Sequence, residues 1–194
     1  MIDAILDEAL VCHLGFVDDG HPFVIPTVYA RIGEQLYVHG SPASRALRTM
    51  RGGVPVCVTV TLLDGLVLAR SAFHHSVNYR SVVLLGTATV LDDTEEKVRA
   101  LDAIVEHAVP GRTADARRGN DKEVRGTLVL RLPISEASAK VRTGGPIDDA
   151  ADLGSAAWAG VIPLGLQIGT PEADPMCPAP VPAYVASYER LQGR

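Results

Sequence analysis

The sequence predicts a mainly β protein: a small antiparallel barrel of roughly six strands with two inserted helices. Three observations lead there. Short runs of β-type residues are joined by tight-turn residues such as Asp19-Gly20 and Gly33. Only two long stretches change to a helical period. Strands and helices do not alternate as they do in parallel α/β folds.

The elements follow in order. Ile2 to Ala9 is a short helix with Ile2, Ile5, Leu6 and Ala9 on one side. Val11 to Val17 is a strand, Asp18 to His21 a turn, and Phe23 to Arg31 the second strand. Pro26 interrupts that strand; proline cannot donate to a ladder, so it marks an edge, a bulge or backbone facing something else. Ile32 to Glu34 turns the chain into strand Gln35 to His39. Gly40 breaks it, Ser41 is placed to cap a helix, and Pro42 suits the first helical position. That helix runs from Pro42 to about Arg51, with Leu47 and Met50 inward and Arg48 and Arg51 nearer the surface.

Gly52-Gly53 stops it. Val54 to Leu63 is a β-branched strand, Asp64-Gly65 reads as a tight turn, and Leu66 to Ala69 as the return. Arg80 to Leu91 is a long strand, apolar on both faces up to Leu85, which calls for a core on one side and a second covering element on the other, a partner subunit being one candidate. Asp93 or Thr94 starts a helix from about Glu95 to Ala108, with Asp93 and Glu96 at capping-box spacing. Its expected buried stripe is Val98, Leu101, Ile104, Val105 and Ala108. After Pro110-Gly111, residues Arg112 to Lys122 read as loop or one helical turn. Val124 to Leu132 is a strand, continued past Pro133 by Ile134 to Val141. Seven of the thirteen prolines lie beyond residue 142, so 143–194 is an extended tail on a single domain 1–194, closed by a short helix from Tyr184 to Leu191.

Composition narrows the function. At 194 residues, 47% hydrophobic and 21% charged, the chain is globular, and its net charge of −5 gives no pull toward nucleic acid or acidic membranes. The three cysteines, Cys12, Cys57 and Cys177, have no metal-type spacing and suggest no disulfide framework. The N-terminus lacks a signal-peptide pattern, and no apolar run reaches the length of a membrane span, so a cytoplasmic protein is expected. No Rossmann fingerprint, P-loop, paired-cysteine zinc site or Gly-x-Ser-x-Gly elbow is present.

Four stretches carry candidate chemistry. Ser41 to Arg45 presents helix-start N–H groups, Ser44 and Arg45 as a phosphate cradle, or simply a capped helix whose arginine faces solvent. His74 and His75 point to opposite faces of an extended segment, which makes a poor chelate; the stretch reads as a turn and strand entry with hydrogen-bonded side chains, or one histidine serves as a haem or metal ligand, with His39 a further place for haem. Ser81 lies opposite Arg80 at the mouth of the long strand, where a hydroxyl facing a ligand is useful. Arg112 follows Pro110-Gly111, Lys140 and Arg142 share one side of a strand, and the sole tryptophan, Trp158, either packs on a flat ring or anchors the tail.

Together these pieces resemble the FMN-binding split-barrel group related to pyridoxamine 5′-phosphate oxidase, in particular its flavin-nucleotide-binding branch that includes the nitroimidazole-resistance reductases. The matching residues are Gly15-Phe16, Pro22 to Tyr29, Leu36 to Ser41, Ser44-Arg45, and His75-x-x-Asn78-Tyr-Arg-Ser-Val82 with Gly86. They continue with Pro110-Gly-Arg112, Ser138 to Gly144, and Trp158 to Pro163. The resemblance implies a split barrel that forms a homodimer with two FMN sites at the subunit interface. It places the flavin ring along Ile25, Pro26, Thr27 and Val28. It places the phosphate and ribityl chain at His39, Ser41, Ser44 and Arg45, with Ser81 contributing from the long strand and Trp158 covering the ring. Ala46 stands where the oxidase has a second basic residue, which leaves Arg80 or a partner-chain Arg112 to compensate. The oxidase's substrate-phosphate residues have no counterpart in the tail. The implied activity is a flavin-dependent oxidoreductase acting on a small planar acceptor, with His39, His75 and Tyr79 as candidate proton donors. The alternatives are a non-catalytic flavin- or haem-binding split barrel and a deazaflavin-dependent reductase.

Overall fold

The computed structural model describes residues 1–189, and among them the side chains of Arg45, Ala46 and Arg51 are outside the description. The chain begins with helix α1 (Ile2–Glu8), strand β1 (Val11–Asp18), strand β2 (His21–Ile32) and strand β3 (Gln35–Gly40). Helix α2 (Arg45–Thr49) and a 3-10 turn lead to strand β4 (Val54–Leu68). After a second 3-10 turn, Ala72–His74, come strand β5 (Ser76–Val90) and helices α3 (Thr94–Ala108), α4 (Arg112–Asp115) and α5 (Asp121–Arg125). Strands β6 (Leu128–Pro133) and β7 (Glu136–Arg142) follow, then strand β8 (Gly160–Pro163) and helix α6 (Ala183–Ala186) in the tail.

Strands β5, β6, β3, β2, β1 and β4 close on themselves, because β4 also pairs with β5; β7 and β8 are additions outside the ring. The split has a simple origin. One edge of β5 pairs with β7 along Tyr79–Leu85 and with β6 only at Thr89 and Val90. One edge of β4 likewise serves β1 at Val56–Thr59 and β8 at Gly65–Leu68. Two long strands thus leave one neighbour for another partway along. Alternate residues fill the barrel: Cys12, Leu14 and Phe16 of β1, Val56, Val58 and Val60 of β4, and Val82 and Leu84 of β5 are all buried, with Leu6 of α1 closing one end. A second cluster, Ala30, Tyr37, Leu91, Ala100, Ile104 and Val129, seats α3 on the outside of β2, β3 and β6.

Several expected elements are corrected. Asp64-Gly65 does not turn the chain: β4 runs straight through, with a register shift between Leu63 and Gly65. The bulge persists because the Asp64 carboxylate accepts two hydrogen bonds from Arg80, at 2.8 and 2.9 Å. A side chain at Gly65 would also press on Ile162 of β8. The helix after β3 starts at Arg45 rather than Pro42. Ser41 to Ser44 is a turn closed by the Ser44 N–H to the Ser41 carbonyl, and Ser44 rather than Ser41 caps the helix by accepting the Leu47 N–H. Val124 belongs to α5, not to a strand; Asn120 and Glu123 form a capping box that winds this segment into a helix. Gly126 ends it before β6. The chain past Pro133 does not prolong β6 but turns back as β7 onto β5.

On α3 the buried line is Ala100 and Ile104, while Val105 is 40% exposed. Asp93 caps the helix as expected, accepting the Glu96 N–H, but the Glu96 carboxylate does not reach back. It accepts instead from Tyr37 and Arg131, tying the helix to the sheet. The tail contains the predicted closing helix as a single turn, α6; Leu191 lies outside the described residues. Among the described residues no helix is long and apolar enough to cross a membrane.

Candidate functional site

Strand registers define a continuous face on the outside of β2, β1, β4 and β5. Pro26 opposes His13, His13 opposes Thr59, and Thr59 opposes Val83 in one row. Val24, Gly15, Cys57 and Leu85 form the next. Since paired residues share a side of the sheet, every other residue of these strands faces outward. Large apolar side chains stand exposed on it, Val24 at 67%, Leu63 at 57% and Val17 at 55%, with His13, Thr59 and Ser81 on the same side. Exposed apolar side chains gathered on one face mark a candidate binding surface. Gly15 flattens its middle, where a Cβ would come 3.3 Å from the Cys57 carbonyl oxygen. Pro26 lies beside that flat area.

The expected site residues distribute over this frame as follows. Pro26 and Val28 of β2 and Ser81 of β5 lie on the outer face, Ser81 opposite Thr61 and Lys140. Ile25 points inward and packs on the barrel core, and Thr27 sits on the same inward register, opposite buried Cys12. The Thr27 hydroxyl donates to the Val28 carbonyl at 3.2 Å. Ser41 and Ser44 stand together at the turn after β3, where their oxygens accept the N–H groups of Ala43 and Leu47. Each hydroxyl keeps its own hydrogen to donate. The Arg45 side chain, named with them, lies outside the described residues.

His39 stands apart. It follows Tyr37 on the side of β3 that faces α3, and it lines a cavity with Val98, Leu101 and Val124. Burial holds its imidazole below the ordinary value of 6.5.

Neither arginine named as a compensating cation is free. Arg80 lies on the inner side of β5, where its guanidinium holds Asp64 and, at 2.5 and 2.8 Å, Glu8. These carboxylates keep it firmly protonated. Arg112 bonds the Tyr184 hydroxyl at 2.9 Å and Asp115 at 3.1 Å, which fastens the tail to α4. Of the basic pair on β7, Arg142 donates to Asn78 at 2.5 Å, and the Lys140 ammonium lies 5.8 Å from the centre of the Tyr79 ring. Trp158 is 65% exposed just before β8, its ring lying over Gly160.

The two neighbouring histidines differ. His74 Nε2 lies 3.3 Å from the Asp149 carboxylate. His75 Nδ1 lies 3.1 Å from the Ser71 carbonyl oxygen, so it carries the hydrogen and leaves Nε2 as the free, basic nitrogen. Phe73 beside them is 90% exposed. Three members of the outer face, His13, Gly15 and Cys57, were not expected from the sequence. Period-two counting from Val11 would have put His13 and Gly15 there, opposite Pro26 and Val24.

The fold is an antiparallel split barrel with an exposed outer face on β2, β1, β4 and β5. The family model described as pyridoxamine 5′-phosphate oxidase matches residues 1–141, and the chain belongs to that family. It is similar to the FAD and haem binding protein from Mycobacterium smegmatis, at 40% identity over 94% of this chain and 91% of that one, with a TM-score of 0.90. It is equally similar to the flavocytochrome Anf3 from Azotobacter vinelandii, at 42% identity over 95% and 86%, with a TM-score of 0.89. A candidate 5-nitroimidazole antibiotic resistance protein from Bacteroides thetaiotaomicron shares 27% identity over 71% and 80%, with a TM-score of 0.60. A search of the curated proteins gave no match.

Proposed function

We propose that this protein is a flavin- and haem-binding redox protein that works as a homodimer. The observation that carries the reading is the exposed apolar face of β2, β1, β4 and β5, flat at Gly15 and bordered by Pro26 and Ser81. A planar ring system and a second copy of the chain are what such a face accommodates. When bound, the flavin supplies hydride or electron transfer to a small planar acceptor, and the haem supplies one-electron chemistry. The chain's own part is to bind and orient. Pro26 and Val28 offer a flat side with no N–H at Pro26, Ser81 offers a hydroxyl, and the Ser41 and Ser44 hydroxyls donate to a phosphate.

The flavin is proposed to be FAD rather than FMN, because a relative at 40% identity over nearly the whole chain is an FAD and haem binding protein. His75 is the proposed haem ligand. Its Nδ1–H is directed at the Ser71 carbonyl, which fixes the ring and the tautomer as ligating histidines require, and exposed Phe73 offers an apolar contact for a porphyrin.

The visible spectrum of the purified protein tests the reading. It should show flavin bands together with a Soret band, and acid release should yield FAD on chromatography. Released FMN would return the reading to the FMN barrels. A colourless protein that takes up neither cofactor would end it. His75→Ala should lose the Soret band and keep the flavin.

A further inference from the structure

Strand β7 lies outside the closed ring, at the margin of the outer face, and carries two cations that the fold does not neutralise. Five basic residues stand on strands. Arg31 holds Asp7, Arg80 holds Glu8 and Asp64, and Arg131 holds Glu96. Lys140 and Arg142 of β7 pair with no carboxylate among the described residues; neutral groups hold them instead. Arg142 donates to Oδ1 of buried Asn78 at 2.5 Å, and Asn78 donates in turn to the Gly144 carbonyl at 3.0 Å. The Lys140 ammonium lies 5.8 Å from the centre of the Tyr79 ring. The register puts these groups on one side of the sheet: Leu63, Tyr79 and Arg142 form one row, and Thr61, Ser81 and Lys140 the next. Neither row is buried, and Leu63 is 57% exposed.

We propose that these two rows bind an aromatic carboxylate, its oxygens held by Lys140, Arg142 and the Ser81 hydroxyl and its ring resting on Leu63 and Tyr79. Residues two apart on a strand are about 7 Å apart, so the two cations repel one another in an empty site, and an oxyanion between them removes the repulsion. Asn78 orients the guanidinium without cancelling its charge, which leaves Arg142 a prepositioned donor with further N–H groups to give. Leu63 and Tyr79 supply the apolar contact that a ring needs. Strands β5, β4 and β1 separate β7 from β2, and the Ser41 to Ser44 turn lies beyond β2, so this is a second anion site and not part of the first. The inference gives the small planar acceptor a negative charge. It rests on the flavin reading for the acceptor's role, whereas the binding of the anion does not.

Benzoate and benzamide, a planar anion and its neutral analogue, are the probes, titrated by calorimetry at low ionic strength into the protein as purified. Benzoate should bind saturably, about tenfold more tightly than benzamide, as charge-assisted hydrogen bonds require. Lys140→Met should remove most of that preference and Lys140→Arg should keep it, both with the cofactor spectrum unchanged. Benzoate should also shift the flavin bands of the wild type. Equal affinity for the two probes, or a preference that survives Lys140→Met combined with Arg142→Met, would overturn the proposal. Loss of the flavin or Soret bands in Lys140→Met would assign the cation to the cofactor's own phosphate or carboxylates and overturn it too. Flavin bands that benzoate leaves in place would overturn the acceptor's role. A colourless protein that still prefers benzoate would keep the anion site and end the flavin reading alone.

Discussion

Arg80 looked in the sequence like a spare cation beside a cofactor, and in the fold it is a clamp. Its guanidinium makes four hydrogen bonds of 2.5 to 2.9 Å, two to Glu8 of α1 and two to Asp64 at the bulge of β4. Replacing it by methionine keeps most of the aliphatic stem and removes the charge. The three side chains are 31%, 39% and 31% exposed, so neither pair has the strength of a buried one. Exposed pairs contribute about 0 to 1 kcal/mol, and hydrogen bonds to charged groups in buried settings about 1.5 to 3. Two bidentate pairs at intermediate burial then contribute about 1 kcal/mol each. Arg80→Met also leaves two carboxylates facing one another, so the expected loss is about 2 to 3 kcal/mol.

Urea unfolding measures it. The midpoint should fall while the slope stays the same, since the surface exposed on unfolding barely changes. Added salt at 1 M should shrink the difference between wild type and variant, because partly exposed pairs are screened. A double-mutant cycle with Asp64→Ala isolates one of the two pairs. A loss below about 0.5 kcal/mol would refute the clamp, since that is the range of ordinary surface substitutions. A variant of unchanged stability that releases its flavin would return Arg80 to the cofactor site.

Three further outcomes follow from the same geometry. Val24→Asp puts a charge on the outer face at a position 67% exposed in the single chain, so the fold should survive while the proposed dimer dissociates, read by light scattering; a dimer that persists would place the interface elsewhere, and a monomeric wild type would remove the dimer from the proposal. Thiol labelling should separate the cysteines: exposed Cys177 reacts at once, half-buried Cys57 on the outer face reacts faster in Val24→Asp, and Cys12, buried with its thiol pushed up to about 12, reacts only on unfolding. His39 should give an acid-side stability slope. Its folded value lies below 6.5, so between the two values the unfolded chain binds the extra proton, and stability falls as pH drops below 6.5, by at most about 1.4 kcal/mol per pH unit. An unaltered slope in His39→Phe would assign the effect to another group.

How far the chain was legible depended on whether its signals were local. The strands were, because period-two alternation with turn residues at Asp19-Gly20 and Gly33 is set within a few residues. Asp64-Gly65 was not, although it has the composition of a hairpin turn. What keeps β4 straight is a guanidinium sixteen residues further on and a β8 strand a hundred residues away, and both act only once the sheet exists. The site divides in the same way. Pro26 and Ser81 could be placed on a face from strand period, whereas the partners of Arg80 and Arg112, Glu8 and Tyr184, are distant in sequence. A cation near a turn therefore says little about what it binds until the carboxylates that fold back onto it are known. His39 makes the converse case. Nothing near it in the sequence says that helices α3 and α5 roof it over. The same burial that leaves Nδ1 without a partner sets a histidine first read beside a phosphate against those helices instead.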